Sequence, residues 1–93
     1  MRDTATHVTV RLVYLARLRE AFGTPGETLA LAHAGGPTVR ALLDTLRDRG
    51  GRFAEELDGR RAIRIAVNHA VASIDDALRD GDEVALFPPV TGG

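Results

Sequence analysis

From His7 to Leu15 the chain alternates between apolar and polar positions. Val8, Val10, Leu12 and Tyr14 fall on one face, and Thr9 and Arg11 on the other. That period of two predicts a β-strand with one buried side. Val13 and Leu15 make the second face apolar at its far end, which predicts a central strand or an exposed patch. Ala16 to Gly23 predicts one or two helical turns or a wide loop, closed by glycine. Thr24-Pro25-Gly26 is turn chemistry. Glu27 to Ala32 predicts a second strand, with Leu29 and Leu31 on one face. After the break at Gly35-Gly36-Pro37, Thr38 stands where an N-cap belongs. Val39, Leu42, Leu43 and Leu46 follow at helical spacing and form one stripe. Gly50-Gly51 is expected to stop this helix.

Arg52 to Leu57 predicts a short second helix ended by Asp58-Gly59. Ile63, Ile65 and Val67 alternate with Arg64, Ala66 and Asn68 as a third strand. Asn68-His69 reads as a turn and Ala70-Val71-Ala72 as a short return strand. Ser73 to Leu78 predicts a tight helical turn. Asp80-Gly81-Asp82 turns the chain into a last strand, Glu83 to Phe87. Pro88 and Pro89 have no N–H to donate, so that strand ends there. The order β-β-α-β-β predicts an α+β domain, a mixed sheet with one main helix packed across one face. No repeat or linker divides the chain. Residues 1–87 read as a single domain and 88–93 as an extended, flexible tail.

Composition narrows the classes. Ninety-three residues suffice for one small core, and a net charge of −1 offers no bulk field toward nucleic acid or membrane. No apolar run is long enough to span a bilayer, and Met1 to Thr6 lacks the apolar stretch of a signal peptide. The expected location is the cytoplasm. Cysteine is absent, so disulfides, thiolate nucleophiles and thiolate metal sites are absent too. All 12 basic residues are arginine. An activated carboxylate on this chain would therefore meet no ε-amine of its own.

Other chemistry finds little support. His7, His33 and His69 are isolated, and no metal site is expected. Asp75-Asp76 with Asp80 and Asp82 lacks the spacing of a calcium loop and reads as a solvated turn. Ser73 has no recognisable histidine–acid pair. Gly35-Gly36-Pro37-Thr38 has no basic P-loop residue and reads as helix capping. Arg17 with Arg19, and Arg60-Arg61 with Arg64, form small basic clusters. They are either solvated or dock an acidic partner surface. Only four aromatic residues are present, and they do not interleave with the arginines as base stacking would need.

The ending, Phe87-Pro88-Pro89-Val90-Thr91-Gly92-Gly93, points elsewhere. Glycine lacks a Cβ, so a Gly-Gly stalk enters a channel too narrow for other residues. Six residues, Pro88 to Gly93, span at most roughly 20 Å when extended. That is long enough for a terminal carboxylate to reach an active site on another protein, whereas an isolated Gly-Gly end is more often a frayed terminus.

From Ala66-Val67-Asn68 through Asp80-Gly81-Asp82-Glu83-Val84 to Phe87-Pro88-Pro89-Val90-Thr91-Gly92-Gly93, the sequence resembles the small subunits of molybdopterin synthase. These belong to the MoaD/ThiS group of ubiquitin-like sulfur carriers. The opening strand, Ala16-Arg17-Leu18-Arg19-Glu20 and Gly23, and Pro37-Thr38-Val39 with Ala41-Leu42 are similar too. The resemblance implies a β-grasp fold. It implies that an E1-like activating enzyme uses ATP to adenylate Gly93, with no cofactor bound by the chain itself. A sulfurtransferase then supplies sulfur for a thiocarboxylate. The loaded tail enters the large synthase subunit in a 2+2 heterotetramer and gives sulfur to cyclic pyranopterin monophosphate. The chain is then a consumed and regenerated reactant with no catalytic residues of its own. Gly93 would react, and Gly92, Thr91, Val90, Pro89 and Pro88 would thread the channel. Phe87, Leu86, Leu15 and Arg19 would face partners.

Two departures stand out. Several extra residues precede the first strand, and Leu86 replaces a frequently aromatic neighbour of Phe87. Rival readings are a carrier for thiamine or cysteine synthesis, a ubiquitin-like modifier of lysines, and a hydrolase using Ser73. The fate of activated Gly93 separates the carrier from the modifier, and Ser73→Ala tests the hydrolase.

Overall fold

The computed structural model describes residues 5–89. The chain runs β1 (Ala5–Tyr14), α1 (Arg17–Phe22), β2 (Gly26–Ala34), α2 (Val39–Arg47), α3 (Gly51–Leu57), β3 (Arg64–Val67), β4 (Ala70–Val71) and β5 (Glu83–Phe87). The strands form one five-stranded sheet in the order β2-β1-β5-β3-β4. β5 runs parallel to β1, while β1–β2, β3–β4 and β3–β5 are antiparallel. The sheet is therefore mixed, as the pattern predicted.

The alternation in β1 sets the layers. Val8, Val10, Leu12 and Tyr14 are all buried. They meet Leu31 of β2, Ile65 of β3, Val84 and Leu86 of β5, and the stripe Val39, Leu42 and Leu46 of α2. Leu18 of α1 and Leu57 of α3 close the same core. Each such side chain contributes on the order of 1.5–3 kcal/mol of hydrophobic stabilisation. The helices thus cover one face of the sheet, and the other face carries His7, Thr9 and Arg11, all exposed.

Thr38 caps α2, its side chain accepting from the Ala41 amide at 3.2 Å. Gly26 opens β2 directly against β1. A Cβ there would collide with the Leu12 carbonyl oxygen, so the close strand pairing requires glycine.

Three local expectations are corrected. α2 ends at Arg47 with Asp48 as its cap, ahead of the glycines. Gly50 and Gly51 have φ of 77° and 55° and instead start α3. Left-handed glycines serve at either end of a helix, and here they turn the chain into a new one. Ser73 to Leu78 is not helical: it is a turn at Ile74-Asp75 followed by a bridge from Ala77 to Thr38. The Ser73 hydroxyl accepts from Asp75 N, and Asp76 accepts from Ser73 N. These side-chain bonds compete with helix formation. β1 starts at Ala5, which takes up part of the extra N-terminal sequence as strand.

One polar network pins the far side of the core. The Tyr14 hydroxyl donates to Glu27 at 2.6 Å, and Arg49 grips both oxygens of that carboxylate at 2.8 Å each. Arg49 also sits 4.8 Å from the Phe53 ring centroid, and Phe53 stacks on Phe22 at 4.2 Å. Arg49 holds the Glu27 carboxyl below its ordinary value. Burial, reinforced by Glu27, pushes the Tyr14 phenol up. Among the described residues no helix is long and apolar enough to cross a membrane.

Candidate functional site

The site is built around the end of β5. Its pairing with β1 places Tyr14 opposite Leu86, and the Leu15 amide donates to the Leu86 carbonyl at 3.1 Å. Pro88 and Pro89 follow with no amide hydrogen to extend the ladder. The central strand therefore delivers the chain to one end of the sheet and releases it there.

Strand periodicity sorts the residues at this root. Val84 and Leu86 are wholly buried, whereas Glu83, Ala85 and Phe87 take the opposite, open face. Leu86 is therefore a core residue and not a partner-facing one. Neighbours on a strand point to opposite sides, so Leu86 and Phe87 cannot share a surface. Phe87 is half-buried. Leu15 is 43% exposed and lies beside it across the parallel pair. Arg19, on α1, is exposed and lines a cleft of about 530 Å³ with Ala16, Glu20, Gly23, Thr24 and Pro25. Ala16 links Leu15 to α1 at φ 53° and ψ −132°. That is a costly backbone for a residue with a Cβ, on the order of 1–3 kcal/mol.

Sequence reasoning missed Val71. β4 places it opposite Ala66 on the open face, and it is 76% exposed. The β3–β4 hairpin turns through Asn68 and His69 at φ 51° and 72°, the left-handed pair that a two-residue hairpin loop favours. Val13, Leu15, Ala66, Ala85, Phe87 and Val71 thus make an apolar strip on the open face. At its far end Glu83 pairs with Arg11 at 3.0 Å and His69 at 3.4 Å. A two-residue strand is too short to show a period, so nothing in the pattern marked Val71.

The acidic stretch before β5 organises backbone. Asp80 accepts from Thr9 N at 2.7 Å, and Asp82 accepts from Arg79 N and the Asn68 amide. Asn68 in turn accepts from Glu83 N. These bonds fix the entry to β5 and hence the direction of its exit. Among the described residues no group of three or more His, Asp or Glu side chains is arranged to hold a metal ion. Val90, Thr91, Gly92 and Gly93 lie outside the described residues.

The sequence matches the ThiS family over residues 12–93. The molybdopterin synthase sulfur carrier subunit of Escherichia coli (strain K12) is 40% identical over 84 residues, 90% of this chain and 99% of that protein. A solved structure described as putative molybdopterin converting factor, subunit 1, from Pyrococcus furiosus superposes with a TM-score of 0.73 at 36% identity. It covers 89% of this chain and 99% of its own. Small archaeal modifier protein 1 of H. volcanii superposes at 0.70 with 30% identity, over 89% of this chain and 99% of that one. An archaeal ubiquitin, from Caldiarchaeum subterraneum, shares the fold alone at 18% identity and a TM-score of 0.55. The mixed sheet with helices on one face is the ubiquitin-like β-grasp, and the chain belongs to the ThiS family.

Proposed function

We propose that this chain is the sulfur-carrier subunit of a molybdopterin synthase, with residues 88–93 as the carrier arm and residues 1–87 as its platform. One observation carries the reading. The family match runs through residue 93, and a curated carrier subunit aligns over nearly its full length. The geometry agrees, because β5 ends in two prolines beside an apolar strip.

The chemistry follows from the carboxylate. A free carboxylate is a poor electrophile. In this reading the Gly93 carboxylate attacks the α-phosphorus of ATP on an E1-like activating enzyme. An acyl-adenylate forms and pyrophosphate leaves. The persulfide sulfur of a sulfurtransferase displaces AMP, and a second thiol then cleaves the acyl disulfide, itself ending as a disulfide and leaving a thiocarboxylate. The loaded arm then enters the large subunit, threaded by Pro88, Pro89, Val90, Thr91 and Gly92. There the thiocarboxylate sulfur bonds to a carbon of cyclic pyranopterin monophosphate, displacing an oxygen substituent, and water cleaves the acyl–sulfur bond, which leaves sulfur on the pterin and regenerates the carboxylate for another round. Phe87, Leu15 and Arg19, with Val71 added, dock the body against the partner. Two carriers and two large subunits assemble in the cytoplasm. The chain binds no cofactor, and ATP belongs to the activating enzyme's step.

The test mixes purified loaded carrier, large subunit and precursor. Dithiolene forms only when the carrier is loaded and intact. Synthesis at a full rate by a chain lacking Gly93 refutes the reading. A second reading has one observation behind it, the likeness to an archaeal modifier protein. Amide adducts of Gly93 on other proteins, without thiocarboxylate, would establish that reading instead.

A further inference from the structure

We propose that Arg17 and Arg61 form a docking site for an acidic side chain of the large subunit that encloses the tail. This rests on the carrier reading above. Among the described residues, Glu56 of α3 is the one charged residue that is buried, 4% exposed. Arg17 Nε donates to its Oε1 at 3.1 Å, and Arg61 Nη1 donates to its Oε2 at 2.8 Å. The two arginine side chains remain 42% and 55% exposed. One buried carboxylate therefore holds two presented guanidiniums, and among the described residues neither arginine has a second acid. Arg60, next to Arg61 in sequence, pairs with Asp58 instead.

The place matters as much as the charge. Arg17 and Arg61 line an open cleft of about 420 Å³ together with Ala62, Pro88 and Pro89. Any protein that encloses the tail must also cover its root. Covering the cleft removes water from two cations that share a single anion. Arginine keeps its proton at all accessible pH values, so deprotonation offers no escape. Burying the surplus charge without a counter-ion is strongly unfavourable. A partner carboxylate removes that penalty with charge-assisted hydrogen bonds to nitrogens that Glu56 leaves unused. Glu56 also fixes both guanidiniums before the partner arrives, which reduces the ordering needed on binding. The fold thus takes one member of each basic cluster seen in the sequence, Arg17 from Arg17 with Arg19 and Arg61 from Arg60-Arg61 with Arg64, and groups the two around one acid.

The test is calorimetric titration of the full chain with purified large subunit across a salt series. R17Q/R61Q is expected to weaken binding about tenfold or more and to flatten its salt dependence. That variant strands Glu56 as a buried unpaired charge, so R17Q/E56Q/R61Q is run beside it with a thermal melt of each. The triple variant is expected to fold and to show the same loss. Wild-type affinity and salt dependence in the folded triple variant would overturn the proposal while leaving the carrier reading intact. No binding by the wild-type chain defeats the carrier reading itself. A loss seen only with the activating enzyme also overturns the assignment, because the acid then belongs to that enzyme.

Discussion

Leu86→Ala and Phe87→Ala are adjacent substitutions with opposite expected consequences. Leu86 is fully buried on the core side of the central strand β5, among residues of β1, β3 and α2. Removing its side chain forfeits burial and leaves a cavity, a loss of about 2–5 kcal/mol. In a domain of this size each kcal/mol moves Tm by about 4–8 °C. A loss near 3 kcal/mol therefore lowers Tm by roughly 12–24 °C. Phe87 lies half-buried on the open face, so its truncation costs about 1 kcal/mol or less of stability. If the strip docks a partner, however, Phe87→Ala removes an aromatic anchor, and affinity falls by roughly 10- to 100-fold. Thermal melts of the free chain and titrations against the large subunit, both well below the variants' melting points, separate the two effects. Leu86→Ala should melt early yet bind nearly normally, and Phe87→Ala the reverse. A folded Leu86→Ala that loses affinity, beside a Phe87→Ala that keeps it, would refute the assignment of faces.

Gly26→Ala should break the β1–β2 pairing at Leu12 and lower Tm well beyond the effect of an ordinary surface change, because the added Cβ meets backbone that cannot swing aside. Stability should also decline at both ends of the pH scale. Glu27 ionises more readily in the fold than its ordinary 4.5, so its contribution is complete above that value and is lost as pH falls through the lowered one. Tyr14 is raised above its ordinary 10.0, so its contribution is complete below pH 10.0 and drains as pH rises beyond it. Denaturant midpoints against pH check both limbs, and Glu27→Gln should flatten the acid limb. Thr38→Ala should cost about 1 kcal/mol through the lost cap of α2, read as a lower denaturant midpoint at unchanged slope.

Elements with a long, unambiguous period were legible before the structure. The buried face of β1 and the stripe Val39, Leu42 and Leu46 are where the pattern put them. Short or position-dependent signals were not. Gly50-Gly51 fits a helix stop as well as a helix start, and only packing of α3 decides between them. β4 has two residues, too few to reveal that Val71 faces out. Leu86 and Phe87 are both apolar, so which one enters the core depends on the register with β1 and not on residue type. The ionic arrangements were the least legible. Arg17 and Glu56 stand 39 residues apart, and Arg49 and Glu27 stand 22 apart. Nothing local in the sequence pairs them. The tail reading rests on the resemblance of Asp80 to Gly93 to the family's ending, and Val90 to Gly93 lie outside the described residues.

The central claim is that Gly93 carries sulfur. The most direct measurement is the intact mass of the chain after incubation with its activating enzyme, ATP and a sulfur donor, with the Gly93 deletion as control. The account predicts that one oxygen is replaced by sulfur in the full chain and none in the deletion. An unchanged mass under conditions that consume ATP, or sulfur incorporated equally into the deletion, contradicts it.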